Sequence, residues 1–190
     1  MKKTDLRQFD YEKVAKLDSD MWRSYYNHQF FKLFLQLIKL LRIQFRFNWF
    51  FTLKLAYYSA WAATYYRINK HKGVDNKRVL SNLTKFYAVV SRHSVEAFDY
   101  AKAAELELAW WDVHRKSVTN NPELERSLAE GAAAIYSVPV GKLTAYAHYR
   151  AEAMILPQHE GDDQPTPTDW PKVTELLVKA WKAAYVAVQK

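Results

Sequence analysis

Three polar side chains are predicted to face the apolar interior of a helical protein, and these are Glu107, His114 and Arg150. In a helical projection of residues 103–115, Glu107 and His114 fall in the middle of a broad apolar side. Arg150 falls on the apolar side of its own segment in the same way. Because a buried charge is costly unless it is paired, each of these groups needs a partner.

The partners are expected to come from other helices. Glu107 and His114 are seven residues apart, which is about 10.5 Å along a helix and too far for a hydrogen bond or a shared metal ion. An inward arginine that faces an inward glutamate favours an ion pair between Arg150 and Glu107. Tyr57 and Tyr65 are candidates to add hydroxyl groups to the same site.

Two interpretations of these five residues stay open. In the first, they form a structural polar network that determines the register of the helices. In the second, they line an internal pocket for a small ligand, with Glu107 or His114 as the acid–base or ligand-binding group. A pocket lined by all five residues would favour the second interpretation. The sequence also leaves open whether the protein is an enzyme.

The composition excludes several kinds of site. The chain has no cysteine, which excludes disulfide scaffolds, zinc ribbons, iron–sulfur clusters and cysteine nucleophiles. Its four glycines, at positions 73, 131, 141 and 161, do not form a phosphate-binding or dinucleotide-binding loop. The pair His148 and Glu152 is predicted to be a surface pair, and His93 with Glu96 lacks a third ligand. We therefore predict no cofactor and no metal site.

The positive charge is concentrated in one part of the chain. No acidic residue lies between Asp20 and Asp75, and these 54 positions hold nine of the cations, so the rest of the chain sums to +8 − 9 = −1. Four cations share a stripe about 80° wide on one predicted helix. These four are Lys32, Lys39, Arg42 and Arg46.

This basic face has a plain interpretation as the solvated side of a core helix. Alternatively, segment 29–54 is an amphipathic surface for homo-oligomerisation, an acidic partner or an anionic membrane. An exposed apolar face beside Lys32, Lys39 and Arg46 would favour this alternative. Nucleic-acid binding is a further alternative, because phosphates attract the same cations.

Periodicity and capping residues predict an all-α protein, a single irregular bundle of seven to eight helices over residues 1–190. The predicted helices span 11–26, 29–46, 49–69, 75–92, 100–117, 122–136, 137–156 and a last segment from 168 or 169 onwards. The third helix is predicted to turn Leu53, Ala56, Tyr57, Ala60 and Thr64 inward. Residues 157–168, which are rich in proline and acidic residues, are predicted to form an exposed linker.

Two stretches carry a resemblance to known proteins. Residues 21–26 read MWRSYY, and residues 107–115 read ELAWWDVHR. With these MWxxYY and ELxWWxxHR patterns, the chain resembles a family of bacterial all-helical proteins of similar length for which no activity is known. The resemblance implies a bacterial, cytoplasmic protein and no particular function.

The sequence also predicts no secretion signal and no transmembrane segment. Charged residues lie near the N-terminus where the apolar part of a signal would be. The longest charge-free run in the apolar part of the chain is Leu55 to Tyr66, twelve residues. A membrane-spanning helix needs about 20 residues.

Overall fold

The computed structural model describes residues 3–69, 76–116, 122–156 and 169–189, and helices dominate all four ranges. The α-helices are α1 Tyr11–Tyr26, α2 Phe30–Phe45, α3 Trp49–Asn69, α4 Lys77–His93, α5 Tyr100–Lys116, α6 Pro122–Tyr136, α7 Thr144–Ile155 and α8 Asp169–Val188. A short 3₁₀ turn, Val140–Leu143, leads into α7. The predicted all-α bundle is therefore confirmed, whereas the predicted linker 157–168 lies outside the described residues.

Local capping explains where several helices begin. The side chain of Asp10 accepts a hydrogen bond from the backbone N–H of Lys13 at the start of α1, and Asn48 accepts one from the N–H of Phe51 at the start of α3. Between α1 and α2, His28 has a φ of 55°, which turns the chain sharply. The change of apolar face near residues 27–29 therefore reflects a real break between two helices.

The helices form a ring in which neighbours in sequence are neighbours in space. Each helix packs mainly on the one before and the one after it, and α8 closes the ring by packing on α1. The N-terminal segment ties this ring together, since Thr4 bridges to Ser94 after α4 and Arg7 bonds Glu96. Elements far apart in the chain therefore contribute side chains to one interior.

The buried side of α3 differs from the one that the sequence predicts. Leu53, Tyr57 and Thr64 are exposed, and the buried residues include the small side chains Thr52 and Ala62. Of the predicted inward set, Ala56 is fully buried as expected, and Ala60 is partly buried. Leu55 is also fully buried, whereas Phe50 and Trp61 are exposed, so the large apolar side chains of α3 are divided between its two sides.

None of the helices within the described residues is long and apolar enough to cross a membrane.

Candidate functional site

The Glu107 carboxylate is held by three hydrogen-bond donors. Oε2 accepts from the indole N–H of Trp110 at 2.8 Å and from the hydroxyl of Tyr87 at 3.1 Å, and Oε1 accepts from the indole of Trp111 at 2.9 Å. Residues three and four positions further along a helix lie on the same face, so both indoles of α5 reach back to the glutamate. Tyr87 comes from α4, so the contact also joins two helices.

This environment has opposing effects on the acidity of Glu107. Burial raises the pKa of the carboxyl group, while the three donors and the positive charge of Arg150 lower it, and the pKa ends above its ordinary value. Indole N–H groups can only donate hydrogen bonds. Each carboxylate oxygen therefore accepts at least one hydrogen bond from within the fold.

The predicted Arg150–Glu107 ion pair is wrong, because Arg150 pairs with Asp18. Arg150 Nη1 lies 2.6 Å from Asp18 Oδ2, and the side chains are only 13% and 7% exposed. The same Asp18 oxygen accepts from the indole of Trp181 at 2.9 Å. Helix α8 packs on both α1 and α7, which places Asp18 of α1 nearer to this arginine than Glu107 is.

The guanidinium of Arg150 lies between two tryptophans. Its carbon is 5.5 Å from the ring centre of Trp22 and 5.6 Å from that of Trp181. Burial lowers the pKa of Arg150, but the charge and hydrogen bond of Asp18, together with Tyr146 and Glu107, outweigh this effect, and the pKa is raised. Arg150 therefore stays positively charged inside the bundle.

His114 is enclosed on the same helix as Glu107 but has a different partner. Its imidazole hydrogen-bonds to the main-chain carbonyl of Met154 near the end of α7. Burial lowers the pKa of His114, and the nearby Arg150 lowers it further. We expect a neutral imidazole that joins α5 to α7.

The two tyrosines of the predicted site are not part of this cluster. Tyr57 is 55% exposed and contacts Tyr58 and Trp61 on the outside of α3. Tyr65 stacks on Trp61 with ring centres 5.4 Å apart. The structure therefore brings Glu107, His114 and Arg150 into one region, without Tyr57 and Tyr65.

Two surface depressions lie away from this cluster. One of about 470 Å³ is lined by residues near the start of α1 and the end of α2, including Lys13 and Arg46. The other, of about 680 Å³, is lined by residues 28–32. Glu107, His114 and Arg150 line neither of them.

Sequence reasoning missed Asp18 as a member of the buried cluster. On α1, Asp18 lies on the same face as Val14 and Leu17, which are buried beside it. The projection that identified Glu107 would also have identified Asp18, because both are carboxylates on an apolar face. The contribution of Trp181 has no such signal, since tryptophan is ordinary on an apolar face.

The ELxWWxxHR stretch is accounted for by contacts within the fold. Trp110 and Trp111 each donate a hydrogen bond to Glu107, and His114 bonds the Met154 carbonyl of α7. At the end of the stretch, the Arg115 guanidinium lies 3.4 Å from the ring centre of Tyr66 and donates to the Tyr66 carbonyl at 2.7 Å.

The histidine–glutamate pairs have ordinary partners. His148 Nδ1 lies 3.0 Å from Glu125, and its Nε2 lies 3.7 Å from Glu152, so the two carboxylates are at opposite edges of one ring. This is the surface pairing that the sequence predicts for His148 and Glu152. His93 Nδ1 instead contacts the carbonyl of Val89 at 2.8 Å. Within the described ranges, no three potential ligands are close enough to hold a metal ion.

A large apolar surface is exposed on α2 and α3, which we call the α2–α3 face. Phe31 is 79% exposed and Phe50 69% exposed. The other exposed large apolar side chains of this face are Phe30, Leu35, Trp49, Leu53, Tyr57, Trp61 and Ile68. Single exposed apolar residues are ordinary, but a continuous patch marks an interaction surface.

Two cation–π contacts show that the exposed sides of the two helices are adjacent. The Arg42 guanidinium lies 4.4 Å from the ring centre of Trp49 at one end of the helix pair. At the other end, Arg67 of α3 lies 4.8 Å from the ring centre of Phe30 of α2. The α2–α3 face therefore belongs to an antiparallel helix pair whose residues meet at both ends.

Four cations of this surface form no ion pair within the part of the chain that the structure describes. Lys32, Lys39, Arg46 and Lys54 are exposed and form no ion pair with any residue in the described part of the chain. The absence of acidic residues from positions 21–74 explains this, because neighbours along α2 and α3 supply no carboxylate. The surface is thus both apolar and positively charged.

Comparison of the chain with protein-family models, curated proteins and solved structures finds no match. The resemblance to a bacterial family therefore stays a prediction. A proposal of function rests on the contacts and exposed surfaces of the described residues.

Proposed function

We propose that the protein attaches to an anionic membrane surface through the α2–α3 face. The observation that carries this proposal is the exposed apolar surface of α2 and α3, whose exposed lysines and Arg46 form no ion pair within the described residues. Interfacial helices combine such apolar side chains with lysine and arginine, because the apolar groups leave water while the cations remain near lipid phosphates.

The kinds of residue on the α2–α3 face favour a membrane over a second copy of the chain. In a symmetric dimer, the same patch would face itself and bring like charges together with no acidic residue between them. A bilayer with anionic lipids supplies the missing negative charge. Tryptophan and tyrosine prefer the membrane–water interface, and Trp49, Tyr57 and Trp61 are on this face.

The expected free energies are sufficient for reversible binding. Each lysine or arginine near an anionic surface contributes about 1 kcal/mol. A fully buried large apolar side chain contributes about 1.5–3 kcal/mol, and these side chains are already partly covered. We expect attachment that weakens at high salt. A cytoplasmic location fits this proposal, because cytoplasmic leaflets carry anionic lipids.

Flotation with lipid vesicles tests the proposal. We expect the protein to bind vesicles of phosphatidylcholine mixed with phosphatidylglycerol, and to bind pure phosphatidylcholine much more weakly. The double variant Phe50→Ser/Leu53→Ser should lower the affinity at least tenfold, which corresponds to about 1.4 kcal/mol. The control Val95→Ser/Val186→Ser removes equally exposed apolar groups elsewhere and should bind like the wild type.

Other outcomes would contradict the proposal. Binding to duplex DNA but not to anionic vesicles would favour the nucleic-acid hypothesis. A retained small ligand or a homo-oligomer, detected by native mass spectrometry of protein from its own host, would favour the pocket hypothesis or the homo-oligomer hypothesis. Equal loss of vesicle binding in both double variants would show that the α2–α3 face has no special role.

A further inference from the structure

The two helices of the α2–α3 face present different chemistry. On α3, the exposed residues at positions 50, 53, 57, 61, 64 and 68 lie within about 80° of one another and extend over about 27 Å. Five of the six are large apolar or aromatic side chains, and the sixth is Thr64. Lys54 and Arg67 lie at the edges of this stripe. The exposed side of α3 is therefore nearly uncharged.

The exposed side of α2 carries cations beside its apolar side chains. Lys32 and Lys39 are exposed on it, Arg46 follows its C-terminus, and Arg42 lies beside α3. Only Phe31 and Leu35 are strongly exposed apolar side chains beyond its first residue. A helix with this pattern is held at the level of the lipid phosphates, because lysine and arginine keep their charged ends in the polar layer.

We infer that α3 enters the boundary of the lipid acyl chains while α2 stays among the headgroup phosphates of an anionic bilayer. This inference rests on the proposed function and adds to it the orientation of the protein on the membrane. The helix pair is tilted about its long axis, so that the uncharged stripe of α3 is deeper than the cations of α2.

The cation–π contacts hold the two helices in this arrangement. Arg42 stacks on Trp49 and also donates from Nη1 to the Phe47 carbonyl at 2.8 Å. Arg67 covers Phe30 at the opposite end. Both guanidinium groups therefore lie along the line between α2 and α3, where their other N–H groups can donate to phosphate oxygens.

Depth measurements with single nitroxide labels test the orientation. The chain has no cysteine, so one introduced cysteine is the only labelling site. Leu35→Cys on α2 and Leu53→Cys on α3 are a matched pair, because the leucines are 52% and 49% exposed. Val186→Cys on α8 is the control. Collision rates with oxygen and with a water-soluble nickel chelate are measured by electron paramagnetic resonance on phosphatidylcholine–phosphatidylglycerol vesicles.

We expect the label at position 53 to gain oxygen collisions and lose chelate collisions more strongly than the label at 35. The label at 186 should keep its aqueous values. Equal depth at 35 and 53, or greater depth at 35, would overturn the inference and leave the proposed function intact. Aqueous values at all three positions would overturn both, as would insertion at position 186.

Salt dependence supplies a second, independent measurement. Lys32→Gln/Lys39→Gln should lower the affinity for anionic vesicles about fivefold for each cation and reduce the salt dependence. Phe50→Ser/Leu53→Ser should lower the affinity with the salt dependence unchanged. If both double variants change the salt dependence equally, the division of roles between α2 and α3 is wrong.

Discussion

Replacement of Asp18 by asparagine should show how strongly the interior depends on one ion pair. Asp18→Asn keeps the size of the side chain and an acceptor for the Trp181 indole, but leaves the Arg150 guanidinium without its counter-ion. Both side chains are largely buried, and the atoms are 2.6 Å apart. Removal of one partner of a buried pair typically costs about 3–5 kcal/mol. We expect the lower part of this range, because the charge of Glu107 also acts on Arg150.

A double-mutant cycle isolates the pair itself. Arg150→Met leaves Asp18 with the indole alone and should also cost about 3 kcal/mol. The double variant Asp18→Asn/Arg150→Met leaves no unpaired charge, so its loss should be much smaller than the sum of the single losses. The free energy of unfolding is measured by urea titration followed by far-ultraviolet circular dichroism.

The exposed pair Glu175–Lys179 is the matched control. Its atoms are also 2.6 Å apart, but the side chains are 64% and 49% exposed, so Glu175→Gln should destabilise the fold far less than Asp18→Asn. Additive losses at Asp18 and Arg150 would refute the reasoning, since the two groups would then act independently. A loss below about 1 kcal/mol in Asp18→Asn would refute it as well.

Three further predictions use the same unfolding measurement. Glu107→Gln should lower the free energy of unfolding by about 1–3 kcal/mol, because the new amide N–H₂ group faces N–H donors and leaves a buried donor unpaired. An unchanged free energy of unfolding would contradict the donor arrangement. The hydrogen bond that His148 donates to Glu125 raises the pKa of His148, so the pair stabilises the fold below about pH 6.5 and the gain disappears as the pH rises through the raised pKa. His148→Gln should therefore lose less than about 1 kcal/mol at low pH and nothing at high pH, and the opposite trend would contradict this assignment. Ala62→Leu should lower the free energy of unfolding by about 1–3 kcal/mol through overpacking, whereas Leu53→Ala should change it by less than about 0.5 kcal/mol. A larger loss for Leu53→Ala than for Ala62→Leu would show that α3 is turned the other way.

Much of the candidate cluster was predictable, but its pairing was not. Glu107, His114 and Arg150 were identifiable because a charged or polar residue on an apolar helical face needs an enclosed partner. Projection of one helix shows which side is buried, but it does not show which helix lies opposite. The choice of Asp18 for Arg150 follows from closure of the ring by α1, α7 and α8.

The exposed apolar surface is the feature that sequence reasoning placed incorrectly. The segment of α3 is apolar on nearly all sides, so its pattern has no single strong inner face. The structure buries Thr52 and Ala62, because small side chains let α3 approach its neighbours closely. Tyr57 and Leu53 are left outside, and the α2–α3 face results.

The sequence by itself determined the helices, their approximate ends and the concentration of positive charge, because periodicity, capping residues and composition are local properties of the chain. The break near His28 belongs to this group, since the apolar stripe changes side within a few residues. Only the tertiary structure decided the partner of Arg150 and the outward side of α3. Both depend on which helices become neighbours, and that is settled by the packing of the whole ring and not by any one segment.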